Sequence, residues 1–178
     1  MAVIQVHDKK FQPYIDEATL QQRIREMGAA ISKDLAGEKP LFIAILNGSF
    51  MFAADIFKHI SIEAEISFIK LVSYRGTKST GNVLTSIGLD EELIGRTVVI
   101  LEDIVDTGKT LSTFLPQLEH QQPKRLIIAS LLHKPEATTH PLKIDYLGFS
   151  VPDKFLLGYG LDYDGLGRNL PAIYQLVE

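Results

Sequence analysis

The sequence predicts an α/β fold: a mainly parallel central sheet flanked by helices, with a small hood formed mostly by the C-terminal segment. Three short apolar runs, at 40–46, 97–101 and 125–132, predict strands that are buried on both faces. Helical periodicity lies between these runs, and alternating strands and helices favour right-handed crossovers and a parallel sheet. A length of 178 residues fits a single domain spanning 1–178.

The elements of the first half follow from the spacing of apolar residues. Between 17 and 36 they recur every three or four positions, which predicts an amphipathic helix that ends at Gly37. A second helix is predicted at 50–58, after the first buried strand. The run at 62–74 alternates polar and apolar residues, so we expect a strand near an edge of the sheet with one face in water.

The second half begins with a segment, 75–82, of small, polar and basic residues. It predicts a mobile loop and a candidate lid. The buried strand at 97–101 is followed by a predicted helix at 110–120 and the buried strand at 125–132. After Pro135, prolines and repeated glycines interrupt short apolar pieces, which predicts irregular structure packed over one end of the sheet.

Composition and charge exclude several classes of function. Hydrophobic residues make up 46% and charged residues 22% of the chain, as in soluble globular proteins. A net charge of −4 supplies no general attraction to nucleic acid or anionic membranes, so neither is expected as a partner. The absence of cysteine excludes disulfides, thiolate metal sites and a cysteine nucleophile. With no signal or membrane-spanning pattern evident, we expect a cytoplasmic location.

The stretch VVILEDIVDTGKTL, residues 98–111, combines acids with an ending suited to binding an anion. In parallel sheets, ligands bind beyond the carboxyl ends of the strands, where N–H groups at helix starts point outward. Gly108 permits close approach, Thr107 and Thr110 add hydroxyl donors, and Lys109 adds charge. A nucleoside triphosphate P-loop would require glycine at position 103, where Asp103 would repel a triphosphate.

The acids of this stretch admit two interpretations. Asp106 can cap the following helix, with Glu102 and Asp103 simply solvated. Alternatively, paired carboxylates can accept hydrogen bonds from a sugar diol or help hold Mg²⁺, while the following loop binds a phosphate. Acids placed directly after a buried strand are costly unless they bind something, which favours a phosphorylated sugar as the ligand.

The same stretch resembles the phosphoribosyl-diphosphate motif of the type I phosphoribosyltransferases. Residues 10–170, roughly, resemble the hypoxanthine-guanine branch of that family, because LNGSFMF, SYRGTKSTG, LLHKP and VPDKFLLGYGLDYDGLGR match in order. The resemblance implies a Mg²⁺-dependent purine-salvage enzyme. Its substrates would be phosphoribosyl diphosphate (PRPP) and hypoxanthine or guanine, and its products a nucleoside monophosphate and pyrophosphate. A homo-oligomer, dimer or tetramer, is also implied.

For the sugar side, the resemblance assigns Glu102 and Asp103 to the ribose hydroxyls, directly or through Mg²⁺. The loop from Asp106 to Thr110, with Thr107, Gly108 and Lys109, would bind the 5′-phosphate. Asp106 would also act as general acid/base at the purine N7. By the same resemblance, Asn47, Gly48 and Arg168 would bind the pyrophosphate, and Asp162 would be a further Mg²⁺ ligand.

For the purine side, the resemblance assigns Lys134 as a donor to the 6-oxo group and Phe155 as a ring that stacks on the base. Backbone groups of Leu156 would meet the edge of the ring, with Asp162 close by. Ser73 and Tyr74 would close over the reaction centre as a lid. Without the resemblance, Lys134 reads as a surface lysine and Phe155 as a core aromatic.

Two features leave alternatives open. The family commonly has lysine where this chain has Asn47, so the affinity for pyrophosphate and any subunit contact made by that lysine stay open. Lys70 would lie close to Ser73 and Tyr74, either at a subunit boundary or as a solvated lysine at a strand end. A xanthine-preferring enzyme differs only in backbone contacts near Leu156 and Asp162, which the sequence does not reveal. A nucleotide-sensing regulator on the same fold is the alternative from another class, although an acidic chain lacks the basic face expected for it.

Overall fold

The computed structural model describes residues 2–73, 83–87 and 89–177. Its main sheet has six strands in the order β5, β4, β3, β6, β7, β8. Their bounds are β3 Leu41–Leu46, β4 Glu65–Ser73, β5 Val83–Ile87, β6 Thr97–Val105, β7 Arg125–His133 and β8 Tyr146–Ser150. All neighbours are parallel except the edge strand β5, which pairs antiparallel with β4. The prediction of a mainly parallel sheet is confirmed.

Helices cover both faces of this sheet because its buried strands carry apolar side chains on both sides. Helices α1 (Glu17–Asp34) and α2 (Phe50–Phe57) lie on one face, and α3 (Lys109–Glu119) lies on the other. In β3, Phe42 and Ala44 pack with α1 and α2, whereas the alternate residues Leu41 and Ile43 pack with α3. The sheet therefore forms the middle of three layers.

A second, four-stranded antiparallel sheet forms the hood, in the order β1, β2, β10, β9. Its strands are β1 Ile4–Val6, β2 Lys9–Ile15, β9 Leu156–Leu157 and β10 Ile173–Leu176. Phe11, Leu157, Ala172 and Tyr174 form its own small core. The C-terminal segment contributes as expected, but the N-terminal hairpin supplies two strands that sequence analysis did not assign.

Two local expectations were wrong. Strand β6 continues to Val105, so Glu102 and Asp103 lie within the strand and do not follow it. The segment after Pro135 is not wholly irregular, because Tyr146–Ser150 joins the main sheet beside β7. Arg23 of α1 donates to the carbonyl oxygens of Leu147 and Gly148, at 2.6 and 3.0 Å, and so satisfies polar groups of this edge strand.

The predicted lid falls mostly outside the described residues. Ser73 is the last residue of β4, while Tyr74 and the loop at 75–82 are not among the residues that the structure describes. Lys70 is partly buried and pairs in register with Leu46, one residue before Asn47.

Candidate active site

The turn between β6 and α3 stands at the carboxyl end of the central strand. Asp106, Thr107 and Gly108 form this turn, and Lys109 and Thr110 open the helix. The N–H groups of a first helical turn have no partner within the helix, so they face outward as donors for an anion. Thr107, Lys109 and Thr110 are exposed, which leaves the loop accessible to a ligand.

Gly108 is required by the shape of this turn. Its φ of +78° lies in the left-handed region, and a Cβ there would lie 2.2 Å from the carbonyl oxygen of His140. The N–H groups of Thr139 and His140 both donate to the carbonyl of Thr107, at 3.1 and 2.9 Å. Residues 139–140 therefore hold the backbone of the turn at Thr107 in place through these two hydrogen bonds.

Glu102 and Asp103 are neighbouring residues of β6; Asp103 is buried and Glu102 is partly buried. Oε2 of Glu102 is shielded from solvent and has no hydrogen-bond partner among the described residues. Burial, reinforced by the neighbouring Asp103 carboxylate, raises the pKa of Glu102 well above its ordinary value. Burial also raises the pKa of Asp103, although its Oδ1 accepts the N–H of Ile104 at 2.9 Å. Among the described residues neither carboxylate forms an ion pair, although the charge of Arg168 opposes the rise in the pKa of Asp103.

Gly48 packs directly against Asp103. A Cβ on Gly48 would lie 1.6 Å from Oδ2 of Asp103, so any side chain would displace that carboxylate. On its other side, Gly160 of the hood approaches the carbonyl oxygen of Gly48 so closely that a Cβ on Gly160 would lie 1.9 Å away. Gly48 and Gly160 therefore allow three parts of the chain to pack closely: the turn after β3, Asp103 of β6 and the hood.

Lys134 follows β7 and its ammonium lies inside the site. Its side chain is only 9% exposed, and Nζ lies 3.2 Å from Oδ2 of Asp106 and 3.6 Å from Oδ1 of Asp153. The reading of Lys134 as a surface lysine is therefore wrong. The N–H of Lys134 donates to the carbonyl of Val105 at 2.9 Å, which fixes its backbone to the end of β6.

Thr138 joins the two segments that carry Asp106 and Lys134. Its Oγ1 lies 3.2 Å from the carbonyl oxygen of Asp106 and 2.9 Å from that of Lys134. The same oxygen is 3.0 Å from Nε2 of His133. This hydroxyl therefore bridges the backbone just after β6 and the backbone just after β7, and so helps to fix the distance between Asp106 and Lys134.

Phe155 presents its ring at the surface of the hood and is 42% exposed. Tyr163 packs edge-on against it, with ring centroids 5.8 Å apart at 83°, and Phe11 packs behind it at 6.2 Å. Leu156 is buried beside it. The ring is thus held in place while one part of it stays open, so the alternative reading of a core aromatic is wrong.

Asp162 and Arg168 form an ion pair. Nη2 of Arg168 lies 2.7 Å from Oδ1 of Asp162, and Nη1 donates to the carbonyl of Gly160 at 2.6 Å. Oδ2 of Asp162 accepts the N–H of Gly165 at 2.8 Å. These contacts connect residues within the segment 160–168 of the hood, which lies next to Asp103.

Two cavities meet at Asp106 and Ile104, which line both of them. The smaller, of about 110 Å³, lies over the turn and is lined by Glu102, Thr107, Gly108 and Thr110 among others. The larger, of about 220 Å³, lies between the sheet and the hood and is lined by Gly48, Asp103, Lys134, Phe155, Leu156, Asp162 and Arg168, among others. Most of the predicted site residues therefore line one or other of these two adjoining cavities, which together are called the cleft.

Asn47 stands apart from this cleft: it is exposed, and its carbonyl accepts the N–H of Phe50 at 3.3 Å. Three residues of the surroundings were not predicted from the sequence: Thr138, Asp153 and Tyr159. The phenol of Tyr159 donates to Asp55 of α2 and so ties the hood to the helix layer. No sequence motif identifies these three residues, because their contacts are to residues that lie far away along the chain or in a turn.

Within the described residues, no cluster of three or more His, Cys, Asp or Glu side chains has the geometry of a complete metal cage. A site built here would rest on two carboxylates and take its other ligands from water or substrate. None of the helices in the described part of the chain combines the length and the apolar character needed to cross a membrane.

Comparison with known proteins agrees with this geometry. A family model described as "Phosphoribosyl transferase domain" matches residues 15–164. The hypoxanthine phosphoribosyltransferase of Buchnera aphidicola is 45% identical over 166 residues, 92% of this chain and 94% of that protein. The hypoxanthine-guanine phosphoribosyltransferase of Bacillus subtilis is 39% identical over 160 residues, 89% of each chain. A crystal structure of a hypoxanthine phosphoribosyltransferase from Staphylococcus aureus is similar with a TM-score of 0.88, at 37% identity, over 93% of this chain and 91% of that one.

Proposed function

This chain belongs to the phosphoribosyl transferase domain family, and from that premise we propose that it transfers the 5-phosphoribosyl group from PRPP to hypoxanthine or guanine. The products would be IMP or GMP and pyrophosphate, which is a purine-salvage reaction. The observation that carries the proposal is the pair of adjoining cavities with Asp106 on their shared border. One cavity suits a sugar phosphate and the other a flat base, so the bond to be formed would lie between them.

On the sugar side, the turn at 106–110 would hold the 5′-phosphate through its N–H groups, with the hydroxyls of Thr107 and Thr110 and the charge of Lys109 in support. The carboxylates of Glu102 and Asp103 would accept hydrogen bonds from the ribose hydroxyls. Glu102 lines the cavity over the turn and Asp103 lines the adjoining cavity, which supports this role because both residues border space that a sugar can occupy.

The donors present also fit Mg²⁺. Mg²⁺ prefers oxygen ligands and is often held by one or two carboxylates together with substrate oxygens and water, as Glu102 and Asp103 would allow. Asp162 would be a third contact, reached through the pyrophosphate. When bound, Mg²⁺ would supply positive charge that stabilises the departing pyrophosphate.

On the base side, Lys134 would donate to the 6-oxo group and Phe155 would stack on the ring. Adenine carries an amino group at this position, so a lysine donor would disfavour it. The backbone of Leu156 would meet the edge of the base. Asp162 lies in the same cavity lining and would complete this side.

In the reaction, N9 of the base would attack C1′ as the bond from C1′ to the pyrophosphate oxygen breaks. The Asp106 carboxylate would take the proton from N7 and so keep the electron pair on N9 available. Arg168 would neutralise charge on the pyrophosphate after releasing Asp162, and the N–H groups near Asn47 and Gly48 would bind the same group. A lid that includes Ser73 and Tyr74 would exclude water.

The test is to supply purified protein with PRPP and Mg²⁺ and with hypoxanthine, guanine, xanthine or adenine in turn. Rapid nucleotide formation from 6-oxopurines and none from adenine is expected. Asp106→Asn should lower kcat by about 10²- to 10⁴-fold. Asp90→Asn, the same change at an exposed acid outside the cleft, should leave kcat unchanged.

Two other outcomes of this assay would indicate a different function. Turnover of xanthine in preference to hypoxanthine and guanine would assign a xanthine-preferring enzyme. Binding of PRPP without turnover of any base would refute the proposal and favour a nucleotide-sensing regulator. The single domain, the cytoplasmic location and a homo-oligomer, dimer or tetramer, stay predictions of the sequence.

A further inference from the structure

The ammonium of Lys134 lies between two carboxylates of different origin. Asp106 belongs to the turn after β6, and Asp153 belongs to the segment between β8 and β9. Their oxygens lie 3.2 and 3.6 Å from Nζ. The lysine side chain is 9% exposed, whereas the side chains of Asp106 and Asp153 are 48% and 57% exposed. The positive charge is therefore the buried partner, and Asp153 has no part in the function proposed above.

This arrangement poses a problem for the reaction. Lys134 is paired with the very carboxylate that must take up the purine proton. When Asp106 receives that proton it becomes neutral, and Lys134 loses its nearer counter-charge. A buried ammonium without a carboxylate partner is costly. Without such a partner, nothing from that side would hold the ammonium in the direction of the 6-oxo group.

Asp153 is placed to prevent this loss. We propose that Asp153 is a positioning residue that pairs with the Lys134 ammonium and holds it directed at the 6-oxo group of the purine while Asp106 carries the N7 proton. Among the described residues, it is the other carboxylate within ion-pair distance of Nζ. The inference rests on the proposed function, since it assigns Lys134 and Asp106 the same roles.

The backbone around Asp153 supports this role. The N–H of Val151, two residues before it, donates to the carbonyl of His133 at 2.9 Å, next to Lys134. Phe155, the proposed stacking ring, follows two residues after Asp153. Because the segment is fixed to the end of β7, the ion pair couples the orientation of the lysine to the position of the stacking ring.

The experiment compares Asp153→Asn with Asp164→Asn in the full-length protein. Asp164 is an acid of the same hood whose side chain is 84% exposed and contacts only His7, at 4.0 Å, among the ion pairs of the described residues. Asp153→Asn should raise the KM for hypoxanthine roughly tenfold while the KM for PRPP stays at its wild-type value. Asp153→Glu should restore most of the loss, and Asp164→Asn should match wild type.

A double-mutant cycle distinguishes positioning of Lys134 from a general effect on the hood. In a Lys134→Gln background, Asp153→Asn should cause no further loss of kcat/KM for hypoxanthine, because there is no ammonium left to hold. An equal loss in both backgrounds would overturn the inference. So would a wild-type KM for hypoxanthine in Asp153→Asn, or a parallel rise in the KM for PRPP.

Failure of the inference is separable from failure of the proposed function. Every variant is read as a ratio to wild type, so these outcomes require a wild-type protein that turns over 6-oxopurines. An inactive wild type would refute the proposed function itself. Thermal unfolding of each variant shows whether its loss comes from a folded protein.

Discussion

Replacing Gly48 by alanine tests the packing on which the sugar side depends. The added Cβ would lie 1.6 Å from Oδ2 and 2.5 Å from Cγ of Asp103. An ordinary contact begins at 3.4 Å, so the carboxylate oxygen must move by about 1.8 Å. The hydrogen bond from the N–H of Ile104 to Oδ1 opposes that movement.

The magnitude follows from this displacement. A misplacement of about 1 Å at a reacting centre can cost roughly 10²-fold in rate, so Gly48→Ala should lower kcat/KM for PRPP by at least about that factor. Forcing an extra methyl group into a packed site also costs about 1–3 kcal/mol of stability. For a chain of this size each kcal/mol corresponds to a fall of about 2–4 °C in Tm.

Steady-state kinetics with PRPP as the varied substrate and thermal unfolding measure both effects. Gly95→Ala is the control, because a Cβ there meets nothing within 4 Å and its φ of +67° imposes only backbone strain. The control should lose some stability and keep its kcat/KM. A Gly48→Ala protein with wild-type kcat/KM and Tm would refute the reasoning, and an equal kinetic loss in Gly95→Ala would show that the effect is not local.

Four further predictions follow from named contacts. Tyr159→Phe should lower the free energy of unfolding by about 1.5 kcal/mol, because Asp55 loses one hydrogen-bond donor but keeps Gln21 and Lys58. Denaturant titration measures this change, and an unchanged midpoint would contradict the prediction. Burial alone would raise the pKa of Asp55, but hydrogen bonds from Lys58, Tyr159 and Gln21 outweigh it and lower the pKa below 3.8. The stabilisation that Asp55 contributes is therefore fully present above pH 3.8 and is lost as the pH falls through the lower pKa of the folded state. The free energies of unfolding of wild type and Asp55→Asn should converge over this range, and a constant difference between them would contradict the prediction. Phe155→Leu should raise the KM for the purine roughly tenfold and leave that for PRPP unchanged, whereas a rise in both would argue against stacking. Chelation of divalent cations should abolish turnover and added Mg²⁺ should restore it; full activity in excess chelator would exclude a metal role.

The sequence predicted the core elements well because their signals are local. Apolar runs bounded by glycine or proline gave β3, β6 and β7, and periodic spacing gave α1. The N-terminal hairpin was missed; β1 and β2 pair with each other, but β2 joins the hood sheet through β10, at the other end of the chain, and no local pattern reveals that pairing. The extent of β6 was underestimated because acids at 102 and 103 read as the end of a buried strand, yet the ladder with β7 continues through them.

Residue type and spacing alone predicted the fold class, an anion-binding turn at 106–110 and, through a resemblance, a list of site residues. How far each strand runs and which side chains meet depended on the tertiary structure. It placed Lys134 between Asp106 and Asp153, paired Asp162 with Arg168, and packed Gly48 against Asp103. Such contacts join residues that are far apart along the chain, and the geometry that creates them exists only once the sheets and helices have packed.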